Sequence, residues 1–435
     1  MEMSLRTDRA LLRATANSTR YLRINLTAPV APTRVERPPV QVGIVLDRSG
    51  SMEGERKFTL ALQAVEQALA LLQPHDRFTL VVYDTDVDRI MASTPATPDA
   101  KRIAMQRLRE VAPRGGTDLY AGWMTAASEM LAHLAADSVN RVLLITDGLA
   151  NAGITESPAL IAASAELRRR GVGTTTFGVG DDFDEVLLRD IAHDGGGHAY
   201  FIATPDQIGD LLTSELGDAL EITLRSAVLQ IALPPGATGA LLNRYRTTHV
   251  SGDNELHVHL GDLTSGQEQT LVLKLTFAQD REGARTNVRV RMSAAEALHI
   301  QSEMLNAASG ASELEQELWW TYDTHRANDA QPRDREVDRD VAQLYASLAR
   351  AEATDANRQG DLPRAKRVLE RTARRIREYA FDDDELNALW RTLLAEVEQY
   401  ALRAMSGRER KERFYAAESM LNNRDALGKA RRQNR

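Results

Sequence analysis

Between Val40 and about Leu216, four short apolar runs alternate with amphipathic stretches, and that alternation leaves few folds open. The runs are Val42–Leu46, Phe78–Tyr83, Val142–Ile145 and Thr174–Val179. All are short, rich in β-branched residues and continuous rather than alternating, as strands buried on both faces of a parallel sheet are. The stretches between them carry helical spacing. In Phe58–Leu72, for example, Leu62, Val65, Leu69 and Leu72 share one face. Strand, helix, strand, helix implies right-handed crossovers, so residues 40–216 are expected to form an α/β domain with a doubly wound, mostly parallel sheet.

The flanking segments follow other periods. Residues 1–39 hold one alternating run, Tyr21–Leu26, followed by a connector containing Pro29, Pro32, Pro38 and Pro39. Residues 217–311 switch to a period of two, seen in Leu256–Leu260 and Leu271–Phe277, with turns at Pro234–Gly236 and Ser251–Asn254. An antiparallel β-sandwich is expected there. If the strand near Tyr21 joins that sandwich, the α/β domain is an insertion between its strands. Residues 312–435 are expected to be helical. Leu386, Leu389, Trp390, Leu393, Leu394, Val397 and Ala401 trace one apolar stripe, and Val337, Val341, Leu344, Tyr345 and Leu348 another. Gly360-Asp361-Leu362-Pro363 separates two helices, with Asp361 placed to cap and Pro363 acceptable in a first turn.

Composition narrows the function classes. The 435-residue chain has no cysteine, which removes thiolate metal sites, disulfides and cysteine catalysis. A net charge of −8 argues against broad attraction to nucleic acid or anionic membrane. The first residues lack the apolar run of a signal peptide, and no stretch approaches the roughly 20 apolar residues of a membrane span. A soluble, cytoplasmic protein is therefore expected.

The chemistry is concentrated at the ends of the buried strands. Asp47-Arg48-Ser49-Gly50-Ser51 begins where the first run stops, and Asp147-Gly148 follows the third. Between them, Gly115-Gly116-Thr117-Asp118 puts a hydroxyl at the entry to a helix. Taken singly, Asp and Ser cap helices and Gly makes turns. Open α/β sheets, however, place ligands beyond the carboxyl ends of their strands, where these loops can converge. Two carboxylates and three hydroxyls suit a hard divalent cation, Mg²⁺ or Mn²⁺, better than zinc.

Asp47-x-Ser49-x-Ser51, then Thr117, then Asp147-Gly148 resemble, in order, the metal-ion-dependent adhesion site of the von Willebrand factor type A domain, and the resemblance spans about residues 40–216. It implies one Mg²⁺ (or Mn²⁺) held by the hydroxyls of Ser49, Ser51 and Thr117, with Asp47 and Asp147 acting directly or through water. It also implies an intracellular bacterial, non-enzymatic protein-interaction module that docks an acidic residue of a partner protein. Many intracellular relatives work beside MoxR-type AAA+ ATPases or in bacterial stress and defence systems, which makes such a component the partner expected by analogy.

A Mg²⁺-dependent hydrolase acting on a phosphate or carboxylate is the alternative, and it needs a base beside the ion. His75 is expected at the opposite, amino-terminal rim, while His193 and His198 flank a glycine turn. Asp84 and Asp86 read as a solvated loop near the metal rim. No nucleotide-binding glycine motif or zinc-protease helix is present. The basic residues Arg408, Arg410, Lys411, Arg413, Lys429, Arg431, Arg432 and Arg435 read as a solvated helix face near the C-terminus.

Overall fold

The computed structural model describes residues 1–31, 38–54, 57–135, 138–202, 206–250, 254–296, 314–424 and 431–432. Pro32, the turn residues Ser251–Asp253, the boundary near Ser312, Lys429 and Arg435 lie outside them. Two compact units emerge. One comprises Met1–Pro32, Ile222–Ser406 and Arg413–Arg435, and the other Thr33–Glu221 with Gly407–Glu412.

The second unit is the α/β domain. Its elements are β1 (Val40–Asp47), α1 (Lys57–Leu71), β2 (Arg77–Tyr83), β3 (Val87–Pro95), α2 (Pro98–Arg109), α3 (Leu119–Leu131), β4 (Val139–Thr146), α4 (Ser157–Arg169), β5 (Gly173–Val179), α5 (Glu185–Asp194), β6 (Gly196–Ile202) and α6 (Asp206–Leu220). The sheet order is β3-β2-β1-β4-β5-β6, parallel except for β3, which returns antiparallel beside β2. Every residue of β1 is buried, because helices cover both faces of the sheet. One apolar cluster joins α1 and α2 to one face through Ile44, Leu46, Val65 and Leu108. Another joins α3, α4 and α5 to the other through Val45, Trp123, Leu167 and Ile191. The winding reverses between β1 and β4, and there the loops beyond the two carboxyl ends diverge and leave a crevice.

Close packing sets the position of β2. A Cβ on Gly122 of α3 would lie 2.5–2.7 Å from Cγ, Cδ1 and Cβ of the buried Tyr83. Gly122→Ala is therefore expected to destabilise the α/β unit by about 1–3 kcal/mol, as overpacking typically does. That corresponds to a fall in Tm of about 2–12 °C for a unit of this size. An unchanged melting curve would show that α3 can back away from β2.

The first unit contains the sandwich. Its sheets have four strands (Glu2–Thr7, Ser18–Thr27, Glu268–Phe277, Thr238–Leu241) and six (Arg246–Val250, Glu255–Thr264, Ile222–Ala232, Arg285–Glu296, Leu314–Asp323, Leu11–Arg13). Their inner faces share Leu22, Ile24, Leu229, Val258, Leu273 and Val290. The strand containing Tyr21 pairs with Glu268–Phe277 over ten residues, so the α/β unit is inserted in sequence between two hydrogen-bonded strands of one sheet. Two expectations need correction here. The amino-terminal segment holds three strands rather than one, and the region read as helical from Ser312 includes a strand, Leu314–Asp323. In that strand Leu318, Trp320 and Tyr322 turn inward, whereas Glu315 and Glu317 pair across to Arg291 and Arg289.

Helices follow from His325. Arg335–Arg358, Leu362–Ala380 and Asp384–Ala401 pack around Ala353, Leu369, Leu389 and Leu393. Gly360 takes φ +77°, and Asp361 accepts a hydrogen bond from the Arg364 amide at 3.0 Å. The two helices therefore break at the turn read from the sequence. No described helix is long and apolar enough to cross a membrane.

Candidate metal centre

The crevice between β1 and β4 brings the five candidate residues together. Asp47 is the last residue of β1 and is fully buried. Its Oδ1 accepts from the Ser49 amide at 2.7 Å, and its Oδ2 accepts from the Thr146 hydroxyl at 2.6 Å. The first bond folds the chain back, so that Ser49 and Ser51 follow on one tight turn. Their hydroxyl oxygens stand 3.0 Å apart, and Ser51 donates to Oδ1 of Asp147 at 2.9 Å. Asp147, directly after β4, is also fully buried.

Thr117 arrives on the loop before α3. A Cβ on Gly148 would stand 3.5 Å from Ser51 Oγ and 3.7 Å from Thr117 Oγ1, so this glycine keeps open a space bordered by both hydroxyls. Backbone bonds lock the loops to one another. The Gly50 amide donates to Gly115 O at 3.2 Å, and the Arg114 amide to Arg48 O at 2.7 Å. Asn151 accepts from the Thr117 amide at 2.7 Å, while its own amide donates to Thr117 O at 3.1 Å. Asp118 caps α3 by accepting from the Ala121 amide at 2.9 Å.

The electrostatics are those of an acidic pocket short of positive charge. Burial pushes the Asp47 carboxyl up to about 6, the nearby Asp147 charge adds to this, and the bonds from Ser49 and Thr146 only partly offset it. Lys57, the first residue of α1, places its ammonium 2.8 Å from Asp147 Oδ2 and 2.8 Å from Asp182 Oδ2. Burial pulls this ammonium down, yet the two carboxylates hold it above the usual lysine range. Among the described residues no three His, Cys, Asp or Glu side chains gather as a metal-holding group. This rim combines two carboxylates with three hydroxyls, a donor set for a hard, oxygen-seeking cation.

Residues 41–214 match the family model of the von Willebrand factor type A domain. The α/β unit has the type A fold. The chain is 27% identical over 249 residues to the uncharacterized protein YfbK of Escherichia coli (strain K12), which covers 56% of this chain and 42% of that protein. It is 26% identical over 283 residues to the uncharacterized protein sll0103 of Synechocystis sp., covering 63% of this chain and 66% of that one. It thus spans only part of each relative. Among solved structures, a von Willebrand factor type A protein from Catenulispora acidiphila aligns over 89% of this chain and 88% of its own, with a TM-score of 0.64. At 18% identity that likeness is one of fold. Type A domains are in general protein-interaction modules.

Several residues beside the type A rim differ from their sequence reading. Asp84 is not solvated: it is buried, forms an ion pair with Arg48 at 2.9 Å and accepts from Arg114 at 2.8 Å, whereas Asp86 is exposed. Burial favours a protonated Asp84, but the Asp86 amide and the two guanidiniums hold its carboxyl below the usual range. His75, by contrast, lies where the sequence placed it, half exposed in the turn that leads into the amino end of β2. His198 sits in the amino-terminal half of β6, with its Nδ1 2.8 Å from the buried Glu215. Lys411 is buried rather than solvated, donating to Phe183 O at 2.6 Å and to Glu185 at 2.9 Å. Sequence reasoning missed Thr146, Asn151 and Lys57. A hydroxyl at a strand end, an amide three residues past Asp147-Gly148 and a lysine opening a helix each have common structural roles, and nothing in the sequence singles them out.

Proposed function

We propose that the carboxyl-terminal rim of the type A domain holds one Mg²⁺ or Mn²⁺ through Asp47, Ser49, Ser51, Thr117 and Asp147, and that this ion docks an acidic residue of a partner protein. The observation that carries the reading is the fully buried Asp47, an anion raised in pKa, facing hydroxyls that carry no charge. The glycine-lined space between Ser51 and Thr117 supports the same reading. When bound, such an ion supplies an electrophilic position that a partner's carboxylate can fill. The protein contributes rigidity: Thr146 and the Ser49 amide fix the Asp47 carboxylate, and Asn151 fixes the Thr117 loop. The ligands are therefore placed before the ion arrives.

Removing one hydroxyl tests the assignment with little change in volume. Thr117→Val is expected to weaken Mg²⁺ binding about tenfold, read by calorimetric titration, because ligand and outer-shell losses typically cost roughly 10–100-fold. Unchanged affinity would take Thr117 out of the ligand set. The Mg²⁺-loaded protein is expected not to turn over generic phosphate esters. Turnover that disappears in Thr117→Val would favour a hydrolase instead.

A further inference from the structure

We propose that Lys57 is a resident cation of the metal rim, holding Asp147 in place without a metal and leaving the loaded rim net positive. The inference rests on the metal reading above and adds what sets its affinity and its preference for an anionic ligand. Lys57 is buried, and its ammonium lies 2.8 Å from one oxygen of Asp147, while Ser51 donates to the other at 2.9 Å. The same carboxylate thus faces both the metal hydroxyls and a tethered positive charge. Burying an ammonium is costly unless it is paired, so this placement is specific.

The backbone is shaped around the lysine. Gly180 adopts φ +72°, and a Cβ there would lie 2.7 Å from Lys57 Cε. The second partner, Asp182, is 70% exposed, so water screens its charge far more than that of the fully buried Asp147.

Charge arithmetic then separates two outcomes. Asp47 and Asp147 together carry two negative charges, and Lys57 cancels one of them. A divalent ion converts this pocket to one net positive charge; without Lys57 the loaded pocket would be neutral. Lys57 should therefore lower cation affinity while giving the loaded rim an attraction for a carboxylate.

The test is calorimetric titration of the full chain with Mg²⁺ for the unmodified protein, Lys57→Met and Asp182→Asn, with melting curves in EDTA and in Mg²⁺. Lys57→Met is expected to bind Mg²⁺ about tenfold tighter. It should melt lower than the unmodified protein in EDTA, and Mg²⁺ should restore it. Asp182→Asn, which leaves the rim intact and gives Lys57 wholly to Asp147, is expected to bind Mg²⁺ several-fold more weakly. Acetate, titrated into the Mg²⁺-saturated proteins, is expected to bind Lys57→Met about tenfold more weakly than the unmodified protein. Equal Mg²⁺ affinity in all three proteins overturns the proposal and leaves the metal site standing. A melting loss in Lys57→Met that is the same with and without Mg²⁺ also overturns it, marking a purely structural lysine. If neither the unmodified protein nor Lys57→Met binds Mg²⁺, the metal reading itself fails.

Discussion

Asp47→Ala is expected to lower Mg²⁺ affinity more than about 100-fold, since losing even an outer partner of a metal ligand costs roughly 10–100-fold. The fold should persist, because Asp47 contributes charge and hydrogen bonds at a rim while the sheet is held by apolar residues such as Ile44, Val45, Leu143 and Leu144. Far-ultraviolet circular dichroism should be unchanged. The pH dependence carries a matching sign. Because the folded-state pKa of Asp47 is raised to about 6 from 3.8, the metal-free protein holds that proton more tightly folded than unfolded. The associated stability is fully present below 3.8 and is lost as pH rises through about 6. Mg²⁺ takes the proton's place, so the rise in Tm on adding Mg²⁺ should be large at pH 7 and small at pH 5. A rise independent of pH would mean that Asp47 does not face the ion.

Glu215→Ala should produce the largest loss of stability, about 3–5 kcal/mol, as expected when one member of a buried charged network is removed. The fall in Tm should be about 6–20 °C. Glu215 on α6 is buried and accepts from Thr175 at 2.5 Å and Tyr200 at 3.0 Å, with His198 Nδ1 at 2.8 Å and Arg141 Nε at 3.5 Å. These partners come from β4, β5 and β6, so one carboxylate ties α6 to three strands. Burial favours its neutral form, but His198 and Arg141 outweigh burial and hold Glu215 well below the usual range. Its stabilising contribution is complete above 4.5, the ordinary value, and is lost as pH falls toward the depressed folded value. The gap in Tm between the unmodified protein and Glu215→Ala should accordingly be full at pH 7 and narrow in acid. A gap that is equal at both would show that the loss comes from the cavity rather than the charge.

The parts legible in the sequence are those where one residue's neighbours suffice. Val42–Leu46 and Val142–Ile145 are buried on both faces, so continuous β-branched runs betray them without knowledge of their partners. The metal residues stand out because Asp47 and Asp147 interrupt such runs at their ends. By contrast, Leu314–Asp323 was hidden by its charges, which look solvated until Arg289 and Arg291 are seen opposite Glu317 and Glu315. Lys57 is 90 residues from Asp147, and Glu215 is 74 from Arg141, so only the folded chain reveals either pairing. Asp84 was misread for the same reason, since Arg48 and Arg114 reach it from two other loops.

The central claim, metal-dependent docking of a partner, is tested most directly by affinity capture from source-cell lysate with three baits: the unmodified protein in Mg²⁺, the same protein in EDTA, and Asp47→Ala in Mg²⁺. A partner docked through the ion is retained only in the first arm, and replacing its docking carboxylate by an amide releases it. Identical captures in all three arms would contradict metal-dependent docking and move any binding to the sandwich or the helices.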